Sequence, residues 1–352
     1  PSYGTDNHRL DDSGVICHQI DFVRSPYSAG NIKVYKQLKQ LMESVKFEFV
    51  HCHTPMGGVM TRMVAYVTNT KPVIYTAHGF HFFKGAPLLN WLCYYPVEKW
   101  LSRHTNQLIC INHEDYCRAK KFYAKYTDYI PGVGICPERI SKLTEAQILE
   151  KKKELGIPTD KKILLSAGEL IKRKNHEAII RTMAKLQDPS LVYVICGHGV
   201  LMDELKQLAV KLKVDQQVIF TGYREDIMEV YQIADLYIFP SWQEGLPMAL
   251  LEAMACERAV VCSEIRGSSD LMGKPVESHE RMGWSLYDGG AIVKKADDTK
   301  AYADSIRWCL EHPVWRNSCG ARNKEEAKNF TLDKVEVRMR KIYERASRKN
   351  SV

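Results

Sequence analysis

Along the first half of the chain, apolar positions recur in two rhythms. Short runs rich in β-branched and apolar residues, Val15 to Asp21, Phe47 to His53, Pro72 to His78 and Gln107 to Ile111, read as strands. Between them, Asn31 to Val45 sets Val34, Leu38, Leu41 and Val45 on one helical face, and Gly58 to Val67 and Leu88 to Leu101 repeat that spacing. Strand and helix alternate, which predicts a parallel α/β layer.

From Cys136 to Glu154 the sequence turns polar and charged, and Gly156-Ile157-Pro158 punctuates it, so a domain boundary is expected at 155/156. A second alternating series follows: Ile163 to Gly168, Val192 to Gly197, Val218 to Gly222, Leu236 to Pro240 and Ala259 to Ser263. Short buried strands that end in Gly or a polar residue place sites at their carboxyl ends. The stretch from Thr299 to Lys349 reads as helical. The expected plan is α/β: an N-terminal domain over 1–155, a second over 156–330, two doubly wound layers facing a cleft, and a closing helix over 331–352.

Composition narrows the functional classes. With 45% hydrophobic and 26% charged residues the chain is an ordinary globular one, neither disordered nor collagen-like nor a disulfide scaffold. No apolar run approaches the ~18 residues that a membrane-spanning helix requires. A net charge of +8 suits anionic lipid surfaces or phosphate-bearing substrates and is too weak to argue for nucleic acid. Eleven cysteines without a Cys-x-x-Cys pair favour a reducing, cytoplasmic setting. The chain opens on Pro1 with no secretory pattern, which reads as a processed start.

Chemistry concentrates in the run from Pro240-Ser241-Trp242-Gln243-Glu244-Gly245-Leu246-Pro247-Met248-Ala249 to Glu252-Ala253-Met254-Ala255, which leaves a strand, turns at Gly245 and enters a helix with Pro247 in its first turn. A helix starting there aims unpaired N–H groups and partial positive charge at a diphosphate. Glu244 and Glu252 do not suit glycoside hydrolysis. Eight helical residues span about 12 Å, against roughly 5 to 9.5 Å for such carboxylate pairs. Holding sugar-nucleotide hydroxyls fits better.

These residues resemble the Glu-x7-Glu element of retaining GT-B glycosyltransferases of family 4. The likeness extends over most of the chain, through Ala167-Gly168 to Lys174-Asn175-His176, Cys196-Gly197-His198-Gly199, Phe220-Thr221-Gly222 and Ala234-Asp235 to Pro240-Ser241. It implies two Rossmann-like domains with the C-terminal helix packing back toward the first. It also implies that Glu252 binds the donor ribose and that Glu244 contacts sugar hydroxyls, helped by backbone N–H groups of Gly245, Leu246, Met248 and Ala249. Lys174 would neutralise the leaving diphosphate. Where the family has Arg after the loop glycine this chain has Glu169, and Arg173 is expected to supply that charge. Gly222, Tyr223 and Arg224 match the stretch whose backbone meets the nucleobase.

In the first domain, Tyr75-Thr76-Ala77-His78-Gly79 resembles the family's histidine near the donor sugar. His51 and His53 are read as facing opposite sides of their strand and hence as a poor metal pair. No metal and no cofactor is expected, in keeping with the absence of an Asp-x-Asp motif. The segment from Tyr75 to Trp100 is rich in aromatics beside Lys84 and Lys99, and Arg118, Lys120, Lys121 and Lys125 follow. Such residues suit an anionic membrane interface and also suit a core.

This stretch looks like bacterial capsule and exopolysaccharide enzymes that extend undecaprenyl-diphosphate-linked sugars. The resemblance implies a hexosyltransferase moving an N-acetylhexosamine from a UDP donor to a lipid-linked saccharide, peripheral at the inner face of the cell membrane. Beside the family, the chain is expected to lack about one βα unit before Pro1. That leaves a catalytically inactive partner or binding protein as an alternative, and a GT-B UDP-sugar epimerase as a third.

Overall fold

The structure is a computed structural model that describes residues 14–23, 25 and 28–347. The chain divides into two compact units, passing from the first to the second after Ile130 and returning to the first at Val337.

The first unit alternates α1 (Gly30–Ser44), β1 (Val50–His53), α2 (Pro55–Val67), β2 (Val73–Ala77), α3 (Leu88–Leu101), β3 (Gln107–Cys110), α4 (His113–Ala119) and β4 (Tyr126–Tyr129). Its four strands pair in sequence order, all parallel. β2 and β3 are buried throughout, as their unbroken apolar runs require in a covered parallel sheet. A Cβ on Gly58 would lie 2.4 Å from the Tyr75 ring, so the missing side chain is what lets α2 lie close on β2. One turn on, Arg62 is fully buried. It donates to Gly58 O (2.9 Å) and pairs with Glu98 of α3 at 2.8 Å, its guanidinium stacked over Tyr75.

Two expectations change here. Val15 to Asp21 forms no strand among the described residues, and Val15 and Ile16 stay exposed. A β-branched run becomes a strand only where a neighbour supplies the ladder, and the partner of β1 is β2. Conversely β4 escaped the sequence reading because Thr127 and Asp128 interrupt its apolar pattern.

The second unit contains α5 (Glu145–Glu154), β5 (Lys162–Ala167), α6 (His176–Leu186), β6 (Leu191–Cys196), α7 (Met202–Lys211), β7 (Val218–Gly222), α8 (Ile227–Gln232), β8 (Leu236–Phe239), α9 (Met248–Ala255), β9 (Val260–Ser263), α10 (Arg266–Ser269), β10 (Pro275–His279), β11 (Trp284–Tyr287), β12 (Gly290–Val293), α11 (Thr299–Glu311) and α12 (Pro313–Ala327), with α13 (Leu332–Ser347) crossing to the first unit. The sheet order is β10-β11-β12-β9-β8-β5-β6-β7. β10 and β11 make antiparallel pairs and the remainder is parallel. The chain winds outward from β5 through β7 and then restarts on the other side of β5 at β8. That reversal is a topological switch point, where open α/β sheets bind ligands at the strand carboxyl ends.

The boundary differs from the expected 155/156. Residues 131–155 fold with the second unit: Leu143 N donates to Gln232 Oε1 (2.9 Å), and Lys151 pairs with Asp226 (2.6 Å) and Glu229 (2.8 Å). A polar composition reflected an exposed helix, not a linker. From Val337 on, α13 packs with the first unit. Gln107 Nε2 donates to Ile342 O (2.9 Å), and Arg345 pairs with Asp128. Lys349, at the end of the expected helical stretch, lies outside the described residues.

Candidate active site

The loops that follow β5 and β8 flank the switch point and are stitched together. Trp242 N donates to Arg173 O (2.9 Å), and Asn175 Nδ2 donates to Pro240 O (3.0 Å) and Ala296 O (2.7 Å). Asn175 sits at φ 57, a left-handed conformation that Asn tolerates better than most residues. The stitching brings three charges together. Glu244 Oε1 meets Lys174 Nζ at 2.9 Å and Arg173 Nη1 at 2.5 Å. Lys174 is the more enclosed cation and Arg173 the more exposed one, which also donates to Gln243 O (2.9 Å). Glu169 is exposed.

Close backbone approach shapes the floor. Ala167, Cys196 and Gly222 stand in register on adjacent strands, so the ends of β5, β6 and β7 lie level. Gly197 N donates to Gly222 O at 2.7 Å, and a Cβ on Gly197 would come within 2.0 Å of Gly168 O. Tyr223 N donates to His198 Nε2 (3.1 Å). Arg224 is engaged elsewhere. Its guanidinium binds Asp226 and Glu154, each at 2.5 Å, and the cations Arg224 and Lys151 hold the Asp226 carboxyl down at about 2. Its side chain belongs to a network that fastens α5, not to the Lys174–Glu244 cluster.

The loop after β8 enters α9 one residue later than expected. Pro247 is the N-cap, with φ −83 and ψ 105, and the helix begins at Met248. Proline has no N–H to lose there, and the first-turn N–H groups of Met248 and Ala249 have no helical acceptor. Leu246 is buried against Gly132, where a Cβ would sit 2.4 Å from Leu246 Cδ2. Glu252 lies on the second turn of α9. Tyr231 of α8 donates to its Oε2 at 3.1 Å, and burial raises its carboxyl above the ordinary range.

The sequence reading missed the support beneath the Glu244-Gly245 turn. Arg266 Nε donates to Glu244 O (3.1 Å), and a Cβ on Gly267 would lie 2.6 Å from Gly245 O. Ser263 Oγ donates to Ser241 O, and Ser268 Oγ donates to Ser263 O (2.7 Å). An Arg-Gly pair following a buried strand's last serine was the available signal.

In the first unit, His78 follows β2 and is hydrogen-bonded through Nε2 to His53 Nδ1 at 3.0 Å. His51 and His53 do not face opposite sides. Residues two apart share a strand face, and their rings lie 4.2 Å apart. His51 is fixed by Tyr343 OH and Thr76 Oγ1, both at 2.8 Å. Burial and then the neighbouring His53 and His78 lower its pKa to about 4, while His53 and His78 are lowered chiefly by burial. These imidazoles are therefore neutral near pH 7. Among the described residues no group of three or more His, Cys, Asp or Glu side chains is arranged to hold a metal.

Two family models match the chain: "Glycosyl transferases group 1" over residues 147–326 and "Glycosyl transferase 4-like" over residues 3–112. EpsD of Bacillus subtilis (strain 168), named as a glycosyltransferase, is 37% identical over 332 residues, covering 92% of this chain and 83% of that protein. The UDP-Gal:alpha-D-GlcNAc-diphosphoundecaprenol alpha-1,3-galactosyltransferase of Escherichia coli is 28% identical, covering 75% and 70%. Anabaena Alr3699/HepE, solved with UDP and glucose, superposes with a TM-score of 0.73 at 17% identity, covering 92% of this chain and 85% of that one. At that identity the last likeness concerns the fold, which is GT-B.

Proposed function

Because the chain belongs to the group 1 glycosyl transferases, and so is a glycosyltransferase, we propose that it moves a sugar with retention from a UDP donor to an undecaprenyl-diphosphate-linked saccharide in bacterial polysaccharide synthesis. The observation that carries this reading is the Lys174–Glu244 pair at the switch point, 2.9 Å apart and buttressed by Arg173. A cation held by a carboxylate between two stitched loops is preorganised for a phosphate whose charge grows as its bond to the sugar breaks. The E. coli relative's name supplies both a UDP donor and a diphosphoundecaprenol acceptor.

In this reading Glu252 takes the donor ribose hydroxyls. Its half-buried position beside Tyr231 suits a fixed acceptor more than a surface carboxylate. Glu244 and the N–H groups of Gly245, Leu246, Met248 and Ala249 take the sugar and diphosphate, and the backbone of Gly222, Tyr223 and Arg224 meets the base. The sugar C1–O(phosphate) bond breaks and the acceptor oxygen bonds C1 on the same face. The acceptor's proton passes to the departing phosphate oxygen, so no covalent sugar–enzyme species forms. Lys174 and Arg173 neutralise the leaving diphosphate, and the reading calls for no metal. His78, neutral and tethered to His53, contacts the donor sugar.

The sugar is an N-acetylhexosamine in the sequence reading and galactose in the E. coli relative's name. Product mass with each UDP-sugar distinguishes them. The deciding test is a thermal-shift panel with UDP, GDP and ADP on wild type and Glu252→Ala. A ligand at a hundred times its dissociation constant adds about 2.7 kcal/mol. A UDP-selective shift lost in the variant supports the assignment, and an equal shift in both overturns the role of Glu252.

A further inference from the structure

The aromatic segment of the first unit separates in the structure into a core face and an outer one. Along α3, Trp91 and Tyr95 pack around Phe82, and Glu98 and Leu101 are buried. The outward face is apolar too: Leu88 is 73% exposed, Leu89 68%, Leu92 65%, Val97 44% and Trp100 45%. A surface helix ordinarily turns charge to solvent and apolar residues inward. α3 is apolar on both faces, and its one carboxylate, Glu98, is buried against Arg62.

Charge frames this ridge. Residues 79–125 carry seven Lys and Arg against three carboxylates. Each carboxylate is already engaged: Glu98 by Arg62, Glu114 by Arg118 (3.0 Å) and Lys84 N (2.7 Å), and Asp115, buried, by Phe80 N (2.9 Å). Among the described residues no carboxylate pairs with Lys84, Lys99 or Arg103. Lys99 lies over the Tyr95 and Tyr123 rings, and Arg103 stacks on Tyr123 at 4.6 Å, extending the ridge as a cationic and aromatic collar.

We propose that the outward face of α3 is a membrane-docking surface: Leu88, Leu89, Leu92, Val97 and Trp100 enter the acyl boundary of an anionic bilayer while Lys84, Lys99 and Arg103 meet its phosphates. The proposal deepens the reading of a lipid-linked acceptor and rests on it. At about 1.5 Å per residue α3 is near 21 Å long, too short to span a bilayer and suited to lying in its interface. Among the described residues no helix is long and apolar enough to cross a membrane. A second copy is the poorer occupant, because face-to-face pairing would set one cationic collar against another.

Flotation of the full chain with vesicles tests this without donor or acceptor. Wild type is expected to float with mixed phosphatidylglycerol and phosphatidylcholine vesicles, and much less with pure phosphatidylcholine or at high salt. The L88Q/L92Q/V97Q variant should lose roughly thirtyfold or more in vesicle affinity and keep the UDP-induced thermal shift of wild type. Should that variant not fold, K84Q/R103Q carries the test by losing the preference for phosphatidylglycerol. Equal flotation of wild type and the triple variant overturns the proposal, as does a wild type that binds neither vesicle. Wild-type dimers by light scattering that the triple variant dissolves, with no vesicle binding, would assign the face to a second copy. Vesicle binding without any nucleotide shift would instead sink the donor reading and leave the surface standing.

Discussion

The two units share an α/β plan and dispose of charge in opposite ways. The second buries an apolar sheet and gathers Arg173, Lys174 and Glu244 at its switch point. The first buries an ion pair, Arg62–Glu98, and leaves apolar side chains of α3 in water. Removing two charges from water costs several kcal/mol, so the buried pair gives little net stability, whereas breaking it leaves one charge stranded. What it provides is an anchor: α2 and α3 are tied through polar atoms, so the opposite face of α3 is free to be apolar.

The sharpest way to break this contrast is Arg62→Ala, which strands Glu98 and removes the guanidinium stacked on Tyr75. We expect a loss of about 3–5 kcal/mol confined to the first unit. Hydrogen exchange of the α2 and α3 amides would read it, with the UDP-induced shift of the second unit retained. The paired change Arg62→Met with Glu98→Leu should recover much of the loss, and a variant as unstable as Arg62→Ala would contradict the anchoring argument.

Lys174→Ala is the matching experiment in the second unit. There the pair is proposed to act on the leaving diphosphate, so the expected loss is in rate: kcat falls roughly a hundred- to a thousandfold, with the donor KM moving much less. Arg173→Ala, which removes the more exposed partner, should cost less than Lys174→Ala. Steady-state kinetics with the UDP-sugar separates them, and a reversed order would transfer the diphosphate to Arg173.

Backbone crowding gives a smaller contrast. Gly197, at φ +144, has Gly168 O at 2.0 Å from the position of a Cβ, whereas Gly85, at φ +89, has nothing within 4 Å. Gly197→Ala must displace the β5 loop that carries Lys174, and about 2–3 kcal/mol is expected. Gly85→Ala bears only the backbone strain, about 1 kcal/mol. Thermal melts of the two variants should rank them in that order.

The same contrast explains what could be read from the sequence. In the second unit, buried strands ending in glycine marked the switch point, and Pro240 to Glu252 identified its loop, because those residue types are dictated by backbone geometry. Asn175 was legible only as part of a motif, without its role, and Arg266 and Gly267 escaped, since their value lies in carbonyls distant in sequence. In the first unit, periodicity found α3 but could not sort its faces: both are apolar, and which is inside depends on Arg62 of another helix. Arg224 shows the converse limit, a motif residue whose side chain is claimed by Glu154 and Asp226.

Two histidines offer the finest comparison. His51 in the first unit and His176 in the second are both held near pKa 4, in each case first by burial. A depressed histidine favours the neutral form in the folded state, so the unfolded chain takes up the proton first as pH falls. Each should therefore withdraw stability between pH 6.5 and about 4, with no further loss below that window. Their secondary causes differ: His53 and His78 for His51, Lys174 for His176. His78→Asn should raise the His51 pKa and leave His176 where it is, and Lys174→Ala should do the opposite. Imidazole titration by NMR reads both. If His51 ignores His78, the two imidazoles are neighbours in space without being electrostatically coupled.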